Sequence, residues 1–140
     1  MNPDNRTERC FKAYYSELAE IARFTLDYAK RYGFEGKALY AIELSLDEAC
    51  ANVIDHAYQG EGLGDIEVSL SYEDPEFIIE LGDSGRPFDA DKVPMPDLTS
   101  PLEERSERGL GVYTVKALMD RVIFCRKGSK NCLIMTKRKP

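Results

Sequence analysis

Residues 46–58 read LDEACANVIDHAY, and their periodicity predicts the second half of a long helix spanning about residues 35–58. Glu48 and Asn52 stand one helical turn apart beside the apolar face, so both side chains should border the core. A carboxylate at such a place could act as a general base, and an amide oxygen could bind Mg²⁺. The pattern is common, however, and a solvated polar stripe is the alternative interpretation.

The segments on either side predict further helices and strands. A helical pattern covers residues 16–32 and ends at Gly33, whereas residues 7–13 suggest an edge strand. Strand alternation marks residues 66–72 and 77–81, joined by a hairpin turn at 73–76. A last helix is predicted at 109–120, with strands at 121–126 and 131–138 around a turn at 127–130. This order predicts an α+β fold, a two-layer α/β sandwich whose mixed, mostly antiparallel sheet carries its helices on one face.

Length and charge restrict the function. A chain of 140 residues predicts a single domain, residues 1–140. The net charge of −6 argues against general nucleic-acid binding and against an anionic membrane surface. No signal-peptide core and no membrane-spanning apolar run is found. The four cysteines form no C-x-x-C and His56 is the single histidine, so no zinc site is expected. The cysteines are instead expected to be the reduced thiols of a cytoplasmic protein.

A second polar constellation, GDSGRPFD at residues 82–89, directly follows a predicted strand. Asp83 at a strand end could accept a hydrogen bond from an exocyclic amine such as that of adenine. Gly85 would let a ligand approach the backbone closely. The alternative is a plain turn rich in Asp, Gly and Pro.

A third constellation, Arg108-Gly109-Leu110-Gly111, opens the last predicted helix. Two glycines at a helix N-terminus expose backbone N–H groups where the helix dipole is positive, which suits a phosphate. Arg108 could add a bidentate contact to a terminal phosphate. A simple helix entry turn is the alternative.

Together these segments resemble the GHKL-type ATPase domain, in this order and over about residues 9–137. Residues 46–58 resemble its N box, residues 82–89 its first glycine box, and ERGLGVYTVKALMDRV at 107–122 its second. Within that class, the chain is most similar to small bacterial anti-sigma factors that are also serine-protein kinases, of the sporulation and general-stress type.

The resemblance implies a role for each matching residue. Glu48 would activate the serine hydroxyl of a protein substrate, and Asn52 would bind the Mg²⁺ that bridges the phosphates of ATP. Asp83 would bond the adenine amine, with Gly85 allowing the base to lie close. The remaining assignments are a γ-phosphate contact for Arg108, a phosphate-facing loop of Gly109, Leu110 and Gly111, and a sigma-factor contact for Arg23. His56, as the lone histidine on a helix, is expected to pack or to support a neighbouring site residue.

The function implied is an ATP-binding anti-sigma regulatory factor with protein-serine/threonine kinase activity. Its cofactors would be ATP and Mg²⁺, and its partners a STAS-domain anti-anti-sigma protein, a sigma factor and a second copy of itself. The segment at residues 89–107 is acidic and contains prolines, which favours an alternative. In that alternative the domain is a non-catalytic, ATP-dependent binding module that sequesters a sigma factor or another regulator.

Overall fold

The computed structural model describes residues 6–87 and 115–140. Within these ranges, no helix is long and apolar enough to span a bilayer. A 3₁₀ turn at Tyr15–Glu17 precedes helix α1, a π-helical turn at Val53–Ala57 follows helix α2, and residues 115–118 are helical. The regular elements are β1 (Arg6–Lys12), α1 (Leu18–Arg31), α2 (Gly36–Asn52), β2 (Asp65–Glu73), β3 (Glu76–Asp83), β4 (Arg121–Lys127) and β5 (Lys130–Arg138).

The five strands form one sheet in the order β1-β2-β3-β5-β4. Every pairing among them is antiparallel. The predicted α+β sandwich is therefore confirmed, and its described strands are antiparallel throughout rather than mixed. The weak strand pattern near the start of the chain also holds, since β1 lies at one edge of the sheet.

The core lies between one face of the sheet and helices α1 and α2. In β3 the alternating residues Phe77, Ile79 and Leu81 are buried, while the residues between them are only half-buried. Ile21 of α1 and Ile42 of α2 are fully buried in the same cluster. The apolar residues that alternate along the strands and those that recur with a period near 3.6 along the helices therefore pack together in a single apolar layer.

The ends of the two helices differ in how closely they follow the prediction. Gly33 ends the first helix as expected, with a φ of 89° that suits glycine. The second helix extends to about residue 58 as predicted, but it is α-helical only as far as Asn52. After Asn52 the backbone widens, and the N–H of Tyr58 donates to the carbonyl of Val53, five residues earlier, at 3.0 Å.

The register of the sheet brings one pair of cysteines together. Cys125 and Cys132 face each other across β4 and β5, with 5.0 Å between their Cα atoms, a separation that a disulfide can span. Sequence spacing could not show this, because the pairing depends on the register of a hairpin. Cys10 and Cys50 are free.

Phe77→Ala tests the position of the core. Phe77 is fully buried and contacts the Phe34 ring at a centroid distance of 5.6 Å, so the substitution leaves a cavity. We expect the free energy of unfolding to fall by about 3–5 kcal/mol in urea titrations followed by circular dichroism. Tyr40→Ala is the control, because Tyr40 is 66% exposed and its loss should change stability by less than about 0.5 kcal/mol. Equal losses in the two variants would contradict this core.

Candidate nucleotide-binding site

A cavity lies between the end of α2 and strands β3, β4 and β5. Apart from Asn52, Asp83 and Asn131, its lining consists of apolar residues and the two cysteines Cys125 and Cys132. This lining suits a flat, mostly apolar group that carries a few polar atoms, such as a purine base.

Asp83, at the end of β3, is the carboxylate of this cavity and is only 7% exposed. Its Oδ1 accepts hydrogen bonds from the N–H of Gly85 at 2.9 Å and from Nδ2 of Asn131 at 2.8 Å. Both of these donors meet the same oxygen. The other oxygen, Oδ2, can therefore accept a hydrogen bond from an amino group of a ligand.

Asn131 was not singled out from the sequence, yet it holds Asp83 in place. Its Nδ2 also donates to the carbonyl of Arg86 at 2.8 Å, and its Oδ1 accepts from Nη1 of Arg126 at 2.8 Å. The sequence did contain a signal for this role. Asn131 is two and four residues from Leu133 and Met135, so it lies on the same face of its strand and takes an inward position. A buried amide at such a position must find partners.

Gly85 lies directly against the π-helical turn. A Cβ atom at this position would stand 2.5 Å from both the carbonyl carbon and the oxygen of Ala57, which are backbone atoms and cannot move aside. The next residue completes the contact, because Arg86 donates its N–H to the Ala57 carbonyl at 2.9 Å and its Nε to the His56 carbonyl at 2.7 Å. These two bonds satisfy backbone carbonyls at the end of a helix.

Tyr58 ties the same loop to β2 and was also missed. Its hydroxyl donates to the carbonyl of Asp65 at 2.6 Å and accepts from the N–H of Ser84 at 2.9 Å. Burial raises the pKa of Tyr58, and the nearby charge of Asp83 raises it further, although the bond from Ser84 opposes the rise. The hydroxyl therefore stays protonated at neutral pH and remains a donor.

Glu48 and Asn52 lie one turn apart on α2, as predicted, and both are half-buried. Asn52 lines the cavity, whereas Glu48 lines a neighbouring groove between α1 and α2. Glu43 and Asp47 line that groove as well. Burial raises the pKa of Asp47, and the charges of Glu43 and Glu48 raise it further. The structure thus places a carboxylate in an acidic groove beside the cavity.

Of the other predicted site residues, the structure describes Arg23 alone. Arg108, Gly109, Leu110 and Gly111 lie outside the described residues. Arg23 is exposed on α1, 3.6 Å from the carboxylate of Glu20, in a shallow surface groove apart from the cavity. Of the predicted set, the structure brings together Asn52, Asp83 and Gly85, with Glu48 adjoining.

Comparisons with known proteins agree with this architecture. The model of the histidine kinase-like ATPase domain matches residues 11–137. The chain is 32% identical over 112 residues to the serine-protein kinase RsbW of Bacillus cereus, covering 76% of this chain and 69% of that protein. RsbW of Bacillus anthracis matches to the same extent. These matches show that the chain belongs to the histidine kinase-like ATPase domain family.

A solved structure shows the same fold at lower identity. It contains the RsbU and RsbW domains of a Mycobacterium tuberculosis protein, and it superposes with a TM-score of 0.68 at 14% identity. The alignment covers 96% of this chain but only 33% of that longer chain. At this low identity, the comparison shows a shared fold and nothing more.

Gly85→Ala tests the close approach of the loop to the π-helical turn. The added methyl group would push the loop away from Ala57 and displace Asp83, so we expect the affinity for ATP to fall at least about tenfold. The measurement is titration with a fluorescent ATP analogue, with circular dichroism to check folding. Gly82→Ala is the matched control, because the nearest atom to its new Cβ would be Oε2 of the flexible Glu67 side chain at 3.2 Å, and the other neighbours lie at ordinary van der Waals distances of 3.6 and 3.9 Å. Unchanged binding by Gly85→Ala would show that the cavity is not the nucleotide site.

Proposed function

We propose that residues 1–140 form a single ATP-dependent protein-serine/threonine kinase domain that phosphorylates a STAS-domain anti-anti-sigma protein and binds a sigma factor. The observation that carries this proposal is the placement of Glu48. A carboxylate suited to proton abstraction lies one helical turn from Asn52, which lines the cavity. The similarity to proteins named serine-protein kinase supports the same reaction.

The described residues fit ATP. The cavity offers apolar walls to the adenine ring, and Oδ2 of Asp83 can accept a hydrogen bond from its amino group. Asn52 would hold Mg²⁺ through its amide oxygen, in the manner of hard-oxygen magnesium sites. When bound, Mg²⁺ neutralises charge on the phosphates of ATP. An acidic domain of net charge −6 has particular need of such neutralisation.

Transfer requires that the hydroxyl of the acceptor serine lose its proton as it attacks the γ-phosphate. Glu48 would accept that proton, a role supported by its position one helical turn from Asn52. Arg108 and the loop of Gly109, Leu110 and Gly111 would contact the phosphates, as the family resemblance implies. The remaining contribution of the domain is to position the two reactants.

Through partner switching, this reaction controls which protein the domain binds. Phosphorylation of the STAS protein releases it, and the domain then binds its sigma factor through a surface that includes Arg23. The domain acts in the cytoplasm as a homodimer, with neither nucleic acid nor membrane as a direct partner.

The decisive experiment is transfer of labelled γ-phosphate from Mg-ATP to a panel of STAS domains from the same organism. Glu48→Gln should keep ATP affinity and lower the transfer rate about 10²- to 10⁴-fold, because the general base is lost. Asp47→Asn is the matched control, since it removes a neighbouring charge in the same groove and should leave most of the activity. Full transfer by Glu48→Gln would contradict the role of Glu48.

Asn52→Ala separates metal binding from base catalysis. We expect it to weaken binding of Mg-ATP, with little change in the residual binding of ATP measured in EDTA. A wild-type protein that binds ATP but labels no STAS domain would instead support the binding module, and capture of sigma factors with and without ATP would then identify its partner.

A further inference from the structure

Three polar residues form one row across the strands that border the cavity. Asn131 of β5 is the register partner of Asp83 in β3 on one side and of Arg126 in β4 on the other. Directly paired residues of neighbouring strands project from the same face of a sheet, so the three side chains can reach one another. This polar row leads from a buried carboxylate through a buried amide to an exposed guanidinium at the edge of the sheet.

The hydrogen bonds along the polar row fit only one orientation of the Asn131 amide. Its Nδ2 donates to Oδ1 of Asp83 and to the carbonyl of Arg86, at 2.8 Å each. The carbonyl of Gly85 lies 3.4 Å from the same nitrogen. All of these neighbours are acceptors, whereas Arg126 can only donate, and its Nη1 lies 2.8 Å from Oδ1 of Asn131. The guanidinium and the carboxylate therefore stand at opposite ends of a directed chain of hydrogen bonds.

The charge of Arg126 strengthens this chain. A hydrogen bond from a guanidinium is stronger than one from a neutral donor, and it polarises the amide that accepts it. The N–H of Asn131 thereby becomes a better donor to the carboxylate of Asp83. The same carboxylate oxygen also accepts from the N–H of Gly85 at 2.9 Å, so Oδ1 is held by two donors. The plane of the carboxylate, and with it the position of Oδ2, is thus fixed.

We propose that Arg126 is a positioning residue that acts through Asn131 to make the site select adenine over guanine. The proposal rests on the assignment of the cavity to ATP. A carboxylate oxygen only accepts, so a fixed Oδ2 of Asp83 can receive a hydrogen bond from the amino group of adenine. Guanine carries a carbonyl oxygen at the corresponding ring position, and two acceptors that face each other leave both without a donor. A carboxylate free to turn could instead meet the N–H groups of guanine, and the selectivity would fall.

The exposed position of Arg126 separates this role from a contribution to folding. Its side chain is exposed on an edge strand, and seven register pairs hold that strand to β5. Replacement of an exposed side chain in such a place changes stability little. A loss of nucleotide selectivity without a loss of stability is therefore the signature of the polar row.

The test compares the affinities of the whole chain for Mg-ATP and Mg-GTP, measured by isothermal titration calorimetry, in the wild-type protein and in Arg126→Met. Methionine keeps an unbranched side chain but cannot donate. We expect ATP to bind about three- to tenfold more weakly, the effect of one hydrogen bond, while GTP binding changes little. Lys127→Met is the matched control and should leave both affinities unchanged. It removes the same charge from the next residue of β4, whose ammonium group instead bonds Glu80 at 3.0 Å.

Asn131→Ala shows whether Arg126 acts through the amide. We expect this variant to lower the ATP affinity at least as much, and Arg126→Met to have no further effect when the two changes are combined. A full effect of Arg126→Met in the combined variant would overturn the proposal, because Arg126 would then contact the nucleotide itself. If Asn131→Ala does not fold, the comparison of Arg126→Met with Lys127→Met still decides.

Two further outcomes would count against different parts of the argument. An unchanged ratio of ATP to GTP affinity in Arg126→Met, or an equal fall of that ratio in Lys127→Met, would overturn the role of Arg126. Absence of ATP binding by the wild-type protein would instead overturn the nucleotide site on which that role rests.

Discussion

The cavity depends on the close approach of Gly85, two residues beyond the end of β3, to the backbone of Ala57 in the π-helical turn. The space between these residues has no room for even one methyl group. Arg86 strengthens the contact by donating to the carbonyls of His56 and Ala57. Because Asp83 lies two residues before Gly85, this contact fixes the distance between the carboxylate and the helix that carries Asn52. The shape of the cavity depends on it.

Hydrogen bonds from the other side complete the positioning of Asp83. Asn131 joins its carboxylate to β5, and Tyr58 joins the adjacent Ser84 to β2. The carboxylate is thus held directly by Gly85 and Asn131, and the adjacent loop residue Ser84 is held by Tyr58. Such preorganisation lets a site recognise a ligand without first paying the entropy of ordering its own side chains.

The sequence predicted the parts of this molecule that depend on local periodicity. The helix up to Asn52, the strand alternation of β2 and β3, and the stop at Gly33 follow from side-chain patterns alone. The α+β class followed from their order. Asp83 and Gly85 were found because a glycine-rich turn directly after a strand is a local signal.

The features that were missed depend on tertiary contacts. The π-helical turn at Val53–Ala57 exists because its carbonyls meet the loop after β3, which no helix pattern encodes. The partnership of Asn131 with Asp83 joins residues 48 positions apart. Cys125 and Cys132 face each other only because of the register in which β4 and β5 pair. In each case the deciding neighbour was distant in sequence or depended on an exact pairing.

The interior position of β5 has a consequence for how the protein is made. Strand β5 lies between β3 and β4, although the ribosome synthesises it after both. Until it emerges, β3 presents an unpaired edge, and Asp83 has not yet met Asn131. A nascent chain stalled in this interval would carry an open strand edge of the kind that promotes aggregation. Release of the last strand therefore completes the sheet and the nucleotide cavity in the same step.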